Sequence, residues 1–203
     1  MFGSQFEILF INKNKMKQLV LIKFICLTLL LLIMNTQIKS QDSNSEKGEP
    51  VTVNSVDLQK YTGLWYEIAK IPNSFQRSCS CNTTATYILR DDGRIDVINR
   101  CTGKDGSINE AKGIAKIQDT TTNSKLKVSF VRIFGISLFW GDYWIIGLDK
   151  NYKYAIVGSP DRKYGWILSR TPKLSHDVLD EIFVILHNQG YNPNDFEMTE
   201  QIY

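Results

Sequence analysis

Three cysteines are the residues of this 203-residue sequence whose type and spacing could most readily do chemistry. Cys79, Cys81 and Cys101 follow an apolar leader, and cysteines of an exported chain pair as disulfides. Three cysteines form at most one bridge within a chain, which leaves one thiol as a candidate nucleophile. Zinc ligands are usually two to four residues apart, so the Cys-Ser-Cys pair predicts no metal site.

The other residues that could take part in catalysis do not form a recognisable set. His176 and His187 are the only histidines, and both fall on one predicted helix, one near each end. The sequence contains no Gly-x-Ser-x-Gly elbow, no glycine-rich phosphate loop and no His-Glu-x-x-His motif. We therefore predict a protein that is not an enzyme, with no catalytic residues and no cofactor.

The first forty residues differ in character from the rest. An apolar run, FICLTLLLLIM, occupies residues 24–34 after four lysines and is followed by a small residue, Ser40. This order predicts a secretory signal peptide at 1–40, with Met16 as an alternative start, then a linker at 41–55 and a domain at 56–203. A membrane-spanning helix needs about 20 apolar residues, so secretion is favoured over an uncleaved membrane anchor.

The charge balance argues against a nucleic-acid partner. The whole chain has a formal net charge of +3, but its first forty residues hold five lysines and a single acidic residue. Without them the chain is close to neutral, and the basic surface that nucleic acids require is missing.

Asn82 begins the one Asn-x-Ser/Thr sequon of the sequence, Asn-Thr-Thr. In an exported protein this motif accepts a glycan on the surface. We predict glycosylation at Asn82.

Short alternating segments separated by turn residues follow the linker. They predict strands near 63–71, 82–90, 94–102, 111–118, 125–132, 142–149, 153–158 and 164–170. Eight strands with short connections favour an all-β, up-and-down antiparallel barrel over an immunoglobulin-like sandwich. Ser175, an apolar stripe and Gly190 predict one C-terminal α-helix packed outside the barrel, with 196–203 as an extra edge strand.

The strand period separates the two faces of the sheet. The Asp-Asp-Gly turn at 91–93 predicts a hairpin in which Tyr87 lies opposite Val97. In that register Cys101 faces position 83, which favours a Cys81–Cys101 disulfide over Cys79–Cys101, although one bulge would change the pairing.

Three segments carry a resemblance to a known family. GLWYEIA at 63–69, DYWIIGLD at 142–149 and WILSRTP at 166–172 resemble the signature regions of the lipocalins. The sequence is most similar to the group that contains apolipoprotein D, bacterial outer-membrane lipocalins and plant temperature-induced lipocalins. The resemblance implies that Gly63, Trp65 and Arg170 close one end of the barrel, with the Arg170 guanidinium over the Trp65 indole.

The closed end fixes the position of the open end. The segment IFGISLFWG at 133–141 then lies at the mouth, and it contains Phe134, Phe139 and Trp140. This apolar segment is either a lid over the entrance, a site of transient membrane contact or a contact for a protein partner.

Alternation predicts the residues that line the interior. Tyr87, Val97, Phe130, Trp166 and Leu168 point inward and form an aromatic and aliphatic lining. The resemblance implies that this cavity binds and carries a small lipophilic ligand such as a fatty acid, a lysophospholipid or a sterol. The alternative is a lipocalin-type isomerase or redox enzyme that uses a cysteine at the mouth.

Overall fold

The computed structural model describes residues 48–202, and its main feature is an antiparallel sheet closed on itself. The strands of the structure are Gly63–Lys70 (β1), Cys79–Leu89 (β2), Ile95–Gly103 (β3), Ile108–Ile117 (β4), Lys125–Ser129 (β5), Val131–Ile133 (β6), Ile136–Leu138 (β7), Gly141–Leu148 (β8), Tyr154–Gly158 (β9), Gly165–Ser169 (β10) and Glu197–Met198 (β11). The α-helices are Leu58–Tyr61 (α1) and His176–Asn188 (α2), and short 3-10 helices cover Ser74–Gln76 and Pro193–Asp195. The predicted signal peptide lies outside the described residues.

Eight of the strands form the barrel. They follow the order β10-β9-β8-β5-β4-β3-β2-β1, and β10 also pairs with β1. The predicted eight-stranded barrel is confirmed, and so is the predicted pairing of Tyr87 with Val97 across the β2–β3 hairpin. Gly93 makes that turn possible because its φ of 76° belongs to the left-handed region.

The helix α2 packs on the outside of the barrel, as predicted. Ile182 and Leu186 on its inner face are fully buried against Ile156 and Ile167 of the sheet. Burial of apolar side chains on one face of an amphipathic helix is its main source of stability. Both histidines therefore lie on an external element, away from the barrel interior.

Residues of the predicted linker contact the folded domain. One compact unit includes residues from Glu49 onward. The Val53 amide donates to the Ile145 carbonyl at 3.0 Å, and the Gln189 side chain bonds to both backbone groups of Val51. The last part of the predicted linker is thus attached to the barrel and to the end of α2.

The C-terminal segment fills a gap between two barrel strands. The β1–β2 ladder covers Gly63–Tyr66 of β1, after which the strands separate. Of the predicted edge strand at 196–203, only Glu197–Met198 form a strand, β11, which pairs with Ala69 and Lys70. Beyond it, Gln201 Nε2 donates to the Glu67 carbonyl at 2.8 Å and to the Thr83 carbonyl at 2.9 Å.

Residues 131–138 form a separate hairpin instead of the predicted strand end and loop. β6 and β7 pair only with each other, and Phe134-Gly135 forms the turn with φ values of 48° and 82°. Positive φ at both central positions is typical of a type I′ turn, and a phenylalanine rarely adopts it. This is why the sequence pattern did not predict the hairpin.

No helix within residues 48–202 has the length and apolar character needed to cross a membrane.

Candidate ligand-binding cavity

A cavity of about 910 Å³ occupies the barrel interior and opens at one end. Most of its wall is apolar, because alternate residues of each strand point inward. The five residues predicted to face the interior all line it: Tyr87, Val97, Phe130, Trp166 and Leu168. The structure therefore brings together residues that are up to 81 positions apart in the sequence.

Trp65 and Arg170 meet at the closed end. The Trp65 indole is completely buried, and the Arg170 guanidinium carbon lies 3.8 Å from its ring centroid. Trp65 Nε1 donates to the Tyr61 carbonyl at 2.8 Å, which ties the indole to α1. Gly63 has a φ of 91°, and a Cβ at this position would lie 3.5 Å from Arg170 Nη1. Glycine permits this backbone conformation beside the guanidinium.

Three tyrosine rings lie above Trp65 and form the floor of the cavity. The Tyr143 hydroxyl is 2.7 Å from the Tyr61 hydroxyl and 2.9 Å from the Tyr87 hydroxyl. The Tyr61 ring is also 5.1 Å from Trp65, centroid to centroid. Burial raises the pKa of Tyr87 to about 12 and the pKa of Tyr61 and Tyr143 well above 10. All three hydroxyls are therefore protonated near neutral pH.

Aromatic rings line one side of the mouth. Tyr164 stacks on Trp166 with centroids 6.1 Å apart, and Phe75 lies 6.3 Å from Trp166. The indole Nε1 of Trp166 donates to Gln76 Oε1 at 3.1 Å. This hydrogen bond holds the Trp166 ring against the wall and connects it to the loop after β1.

Glu67 is a buried carboxylate in the cavity wall that our sequence analysis missed. Only 3% of it is exposed, and it accepts hydrogen bonds from Gln76 at 2.7 Å and Thr199 at 2.6 Å. Lys70 Nζ lies 3.3 Å away. Because a buried charge requires such partners, Glu67 joins the wall to the C-terminal segment. Its position two residues after Trp65 was the available signal, since alternate residues share a face.

The predicted Cys81–Cys101 disulfide is wrong, because Cys101 is bonded to Cys79 with a Cα–Cα distance of 5.5 Å. Two irregularities in β2 shift the register, so that Cys79 lies opposite Gly103 and becomes the diagonal neighbour of Cys101. Cys81 is the free thiol, and it is buried. The bridge lines the cavity, whereas Cys81 is not among the described residues of its wall.

Asn82 lies in this irregular part of β2, with a φ of 54°. Its Oδ1 accepts a hydrogen bond from the Ile202 amide at 2.6 Å, so the side chain contacts the C-terminal segment. Glycosylation of Asn82 stays a prediction.

The β6–β7 hairpin leaves most of its apolar side chains in solvent. The Phe134 side chain is fully exposed, and Phe139 is 81% exposed although it also contributes to the cavity rim. Lys116 Nζ lies 4.3 Å from the centroid of the Trp140 ring. The tip of the hairpin thus does not fold over the entrance as a lid would.

Comparison with protein families now identifies this barrel. Residues 56–201 match a family model described as a lipocalin-like domain. The chain belongs to the lipocalin family. The three lipocalin-like segments of the sequence lie on β1, on β8 and at the end of β10. Two of them supply the Trp65 and Arg170 of the closed end.

Several lipocalins of known sequence and structure are similar to this one. It is 41% identical over 150 residues to the outer membrane lipoprotein Blc of Escherichia coli (strain K12), with 73% of this chain and 81% of the relative covered. Temperature-induced lipocalin-1 of Arabidopsis thaliana is 35% identical over 160 residues, covering 77% and 86%. Insecticyanin from the tobacco hornworm Manduca sexta superposes with a TM-score of 0.60 at 26% identity, covering 75% and 84%.

Proposed function

We propose that this lipocalin binds one small lipophilic ligand inside its barrel and carries it. The cavity is the observation on which the proposal rests. A volume of about 910 Å³ is within the range of small-molecule sites, which are typically lined by apolar side chains with a few polar groups. One end is closed by Trp65 and Arg170, and the other is open to solvent.

The apolar wall supplies the binding free energy. Burial contributes about 25 cal/mol per Å² of apolar surface, so a ligand that buries roughly 300 Å² gains about 7.5 kcal/mol before the cost of association. Fatty acids, lysophospholipids and sterols have this much apolar surface. In such a complex Tyr87, Val97, Phe130, Trp166 and Leu168 contact the ligand.

The disulfide supports a location outside the cytosol. Cys79 and Cys101 are bonded, and such bridges persist in oxidising compartments. Together with the predicted signal peptide, this favours a secreted carrier. The free thiol of Cys81 is buried and is not among the described residues of the cavity wall, which favours a carrier over the enzymatic alternative.

Calorimetric titration with hexadecanoic acid, a lysophospholipid and a sterol tests the proposal. The replacement Ala115→Trp places an indole in the cavity, because Ala115 is buried in its wall. Lys112→Trp, whose side chain is exposed on the same strand, is the matched control. We expect saturable binding of at least one lipid by the wild type and the control, and its loss in Ala115→Trp. Equal binding by both variants would place the ligand elsewhere.

The exposed hairpin favours a second role, transient contact with a membrane through residues 133–141. Ile133, Phe134 and Ile136 are exposed at its tip, and contiguous exposed apolar groups mark interaction sites. Val131, at the start of the hairpin, and Phe139, directly after it, both line the cavity. A lipid bilayer at the hairpin would therefore face the opening through which a lipid ligand passes.

Flotation with phosphatidylcholine vesicles, with and without phosphatidylglycerol, tests this contact. The double replacement of Phe134 and Phe139 by Ser should release the protein from the vesicles. Val184→Ser removes an exposed apolar side chain from α2 and should have no effect. If the double variant floated to the same extent as wild type, the hairpin would not be the membrane contact.

A further inference from the structure

The floor of the cavity contains a polar group in apolar surroundings. Tyr61, Tyr87 and Tyr143 come from α1, β2 and β8, and strands β3, β4 and β5 separate β2 from β8 in the sheet. Their hydroxyls nevertheless meet, because the Tyr143 side chain reaches across the barrel. Apolar side chains surround them on the cavity wall: Leu58, Ala115, Leu126 and Ile145.

The hydrogen bonds among these tyrosines use only two of the three hydroxyl hydrogens. Each hydroxyl carries one hydrogen, and the three oxygens share two hydrogen bonds, both of which include Tyr143. Whichever way the bonds run, two hydrogens are used and the third meets no acceptor among residues 48–202. A donor that an apolar ligand covers without offering an acceptor costs about 1–3 kcal/mol.

The spare donor is available to a molecule in the cavity. All three tyrosines are part of the cavity wall, and burial keeps their hydroxyls protonated by raising each pKa. A few polar groups in a largely apolar site fix the orientation of a ligand and discriminate between ligands. The complementary group is an oxygen acceptor at the buried end of the ligand.

We propose that the tyrosine floor selects lipids that carry a hydroxyl or carbonyl oxygen at their buried end. This inference rests on the proposed lipid-binding function. A hydroxyl or carbonyl oxygen accepts the third tyrosine hydrogen, whereas a plain hydrocarbon end leaves it unpaired. An ionised head group stays at the mouth, because transfer of a charge into the apolar floor is costly.

Two ligands that differ by one oxygen test the inference. Hexadecanoic acid and ω-hydroxyhexadecanoic acid have the same chain and carboxylate, and calorimetry gives the ratio of their dissociation constants. Replacement of all three tyrosines by Phe preserves the rings and removes every hydroxyl. The preference for the hydroxylated ligand is the ratio of the two dissociation constants. We expect this preference to be about tenfold lower in the triple variant than in wild type, because the variant lacks one buried hydrogen bond to the ligand.

The single replacement Tyr143→Phe distinguishes ligand recognition from a structural role. It removes both hydrogen bonds of the cluster and leaves Tyr61 and Tyr87 with one unpaired hydrogen each. We expect its preference for the hydroxylated ligand to equal or exceed that of wild type, although its stability falls.

The outcomes separate the two proposals. If wild type binds both ligands and the ratio is unchanged in the triple variant, the inference about the floor is wrong and lipid binding stands. A loss of preference in Tyr143→Phe as large as in the triple variant would also contradict it. If wild type binds neither these ligands nor any other lipid, the proposed function itself is overturned.

Discussion

The guanidinium of Arg170 lies 3.8 Å from the ring centroid of Trp65 and also bonds to the main chain that leads into β1. Its Nη2 donates to the carbonyls of Lys60 and Thr62 at 2.7 and 2.9 Å, and its Nη1 donates to the carbonyl of Leu64 at 2.6 Å. One side chain thus holds an indole and the segment from α1 to β1 together. A planar group with five N–H donors can do this, and an ammonium group cannot.

Replacement of Arg170 should lower stability more than replacement of an ordinary surface arginine. Arg170→Ala removes the cation–π contact and leaves several carbonyls without a donor, for an expected loss of about 2–3 kcal/mol in the free energy of unfolding. Arg170→Lys should recover only part of it. Urea denaturation measures both, with the exposed Arg132→Ala as control. A loss below about 0.5 kcal/mol in Arg170→Ala would show that the closed end does not depend on this side chain.

Replacement of Cys79 should lower stability more than replacement of Cys81. Cys79→Ser opens a bridge between residues 22 positions apart, for which the loss of chain constraint costs about 3 kcal/mol. Cys81→Ser should leave the bridge intact and change stability much less. Fragmentation mass spectrometry of the unreduced peptides identifies the pairing, because Cys79 and Cys81 fall in one peptide, and thermal unfolding gives the stability. A Cys81–Cys101 bond in wild type would contradict the structure.

The C-terminal segment should stabilise the barrel through Gln201. Its side chain supplies the donors for the carbonyls of Glu67 and Thr83, where β1 and β2 separate. Gln201→Ala leaves these buried acceptors unpaired and should cost about 1–3 kcal/mol. Hydrogen exchange of the β1 and β2 amides near residues 67 and 83 should also increase. Glu197→Ala, an exposed position on β11, is the control. Unchanged exchange in Gln201→Ala would refute this role.

Alkaline pH should destabilise the protein through the buried tyrosines. Burial raises the pKa of Tyr87 from 10.0 to about 12, so the folded state keeps a proton that the unfolded state loses. The stabilising contribution is complete below pH 10 and is lost as the pH rises towards 12, with a total of about 2–3 kcal/mol. Urea denaturation across this range measures the loss. Tyr87→Phe should show a shallower decline, and an identical pH dependence would contradict the assignment.

Local sequence patterns were sufficient to predict the architecture and to predict which side of the sheet many side chains occupy. Eight alternating segments with short turns predict the barrel, because the strand period and the turn residues depend on neighbouring positions only. The same reasoning places Tyr87, Val97, Phe130, Trp166 and Leu168 in the wall. The amphipathic stripe predicts α2 and its position outside the barrel for the same reason.

The tertiary structure decided what depends on contacts between distant segments. The Cys79–Cys101 pairing follows from two irregularities in β2 beside the C-terminal segment, and a uniform register cannot show them. The β6–β7 hairpin depends on an unusual φ at Phe134. The cluster of Tyr61, Tyr87 and Tyr143 forms only when the closed sheet brings their hydroxyls together. The sequence of a strand determines which of its residues alternate between the two faces. A cluster of side chains from distant strands also depends on how the barrel closes and on the stagger between its strands.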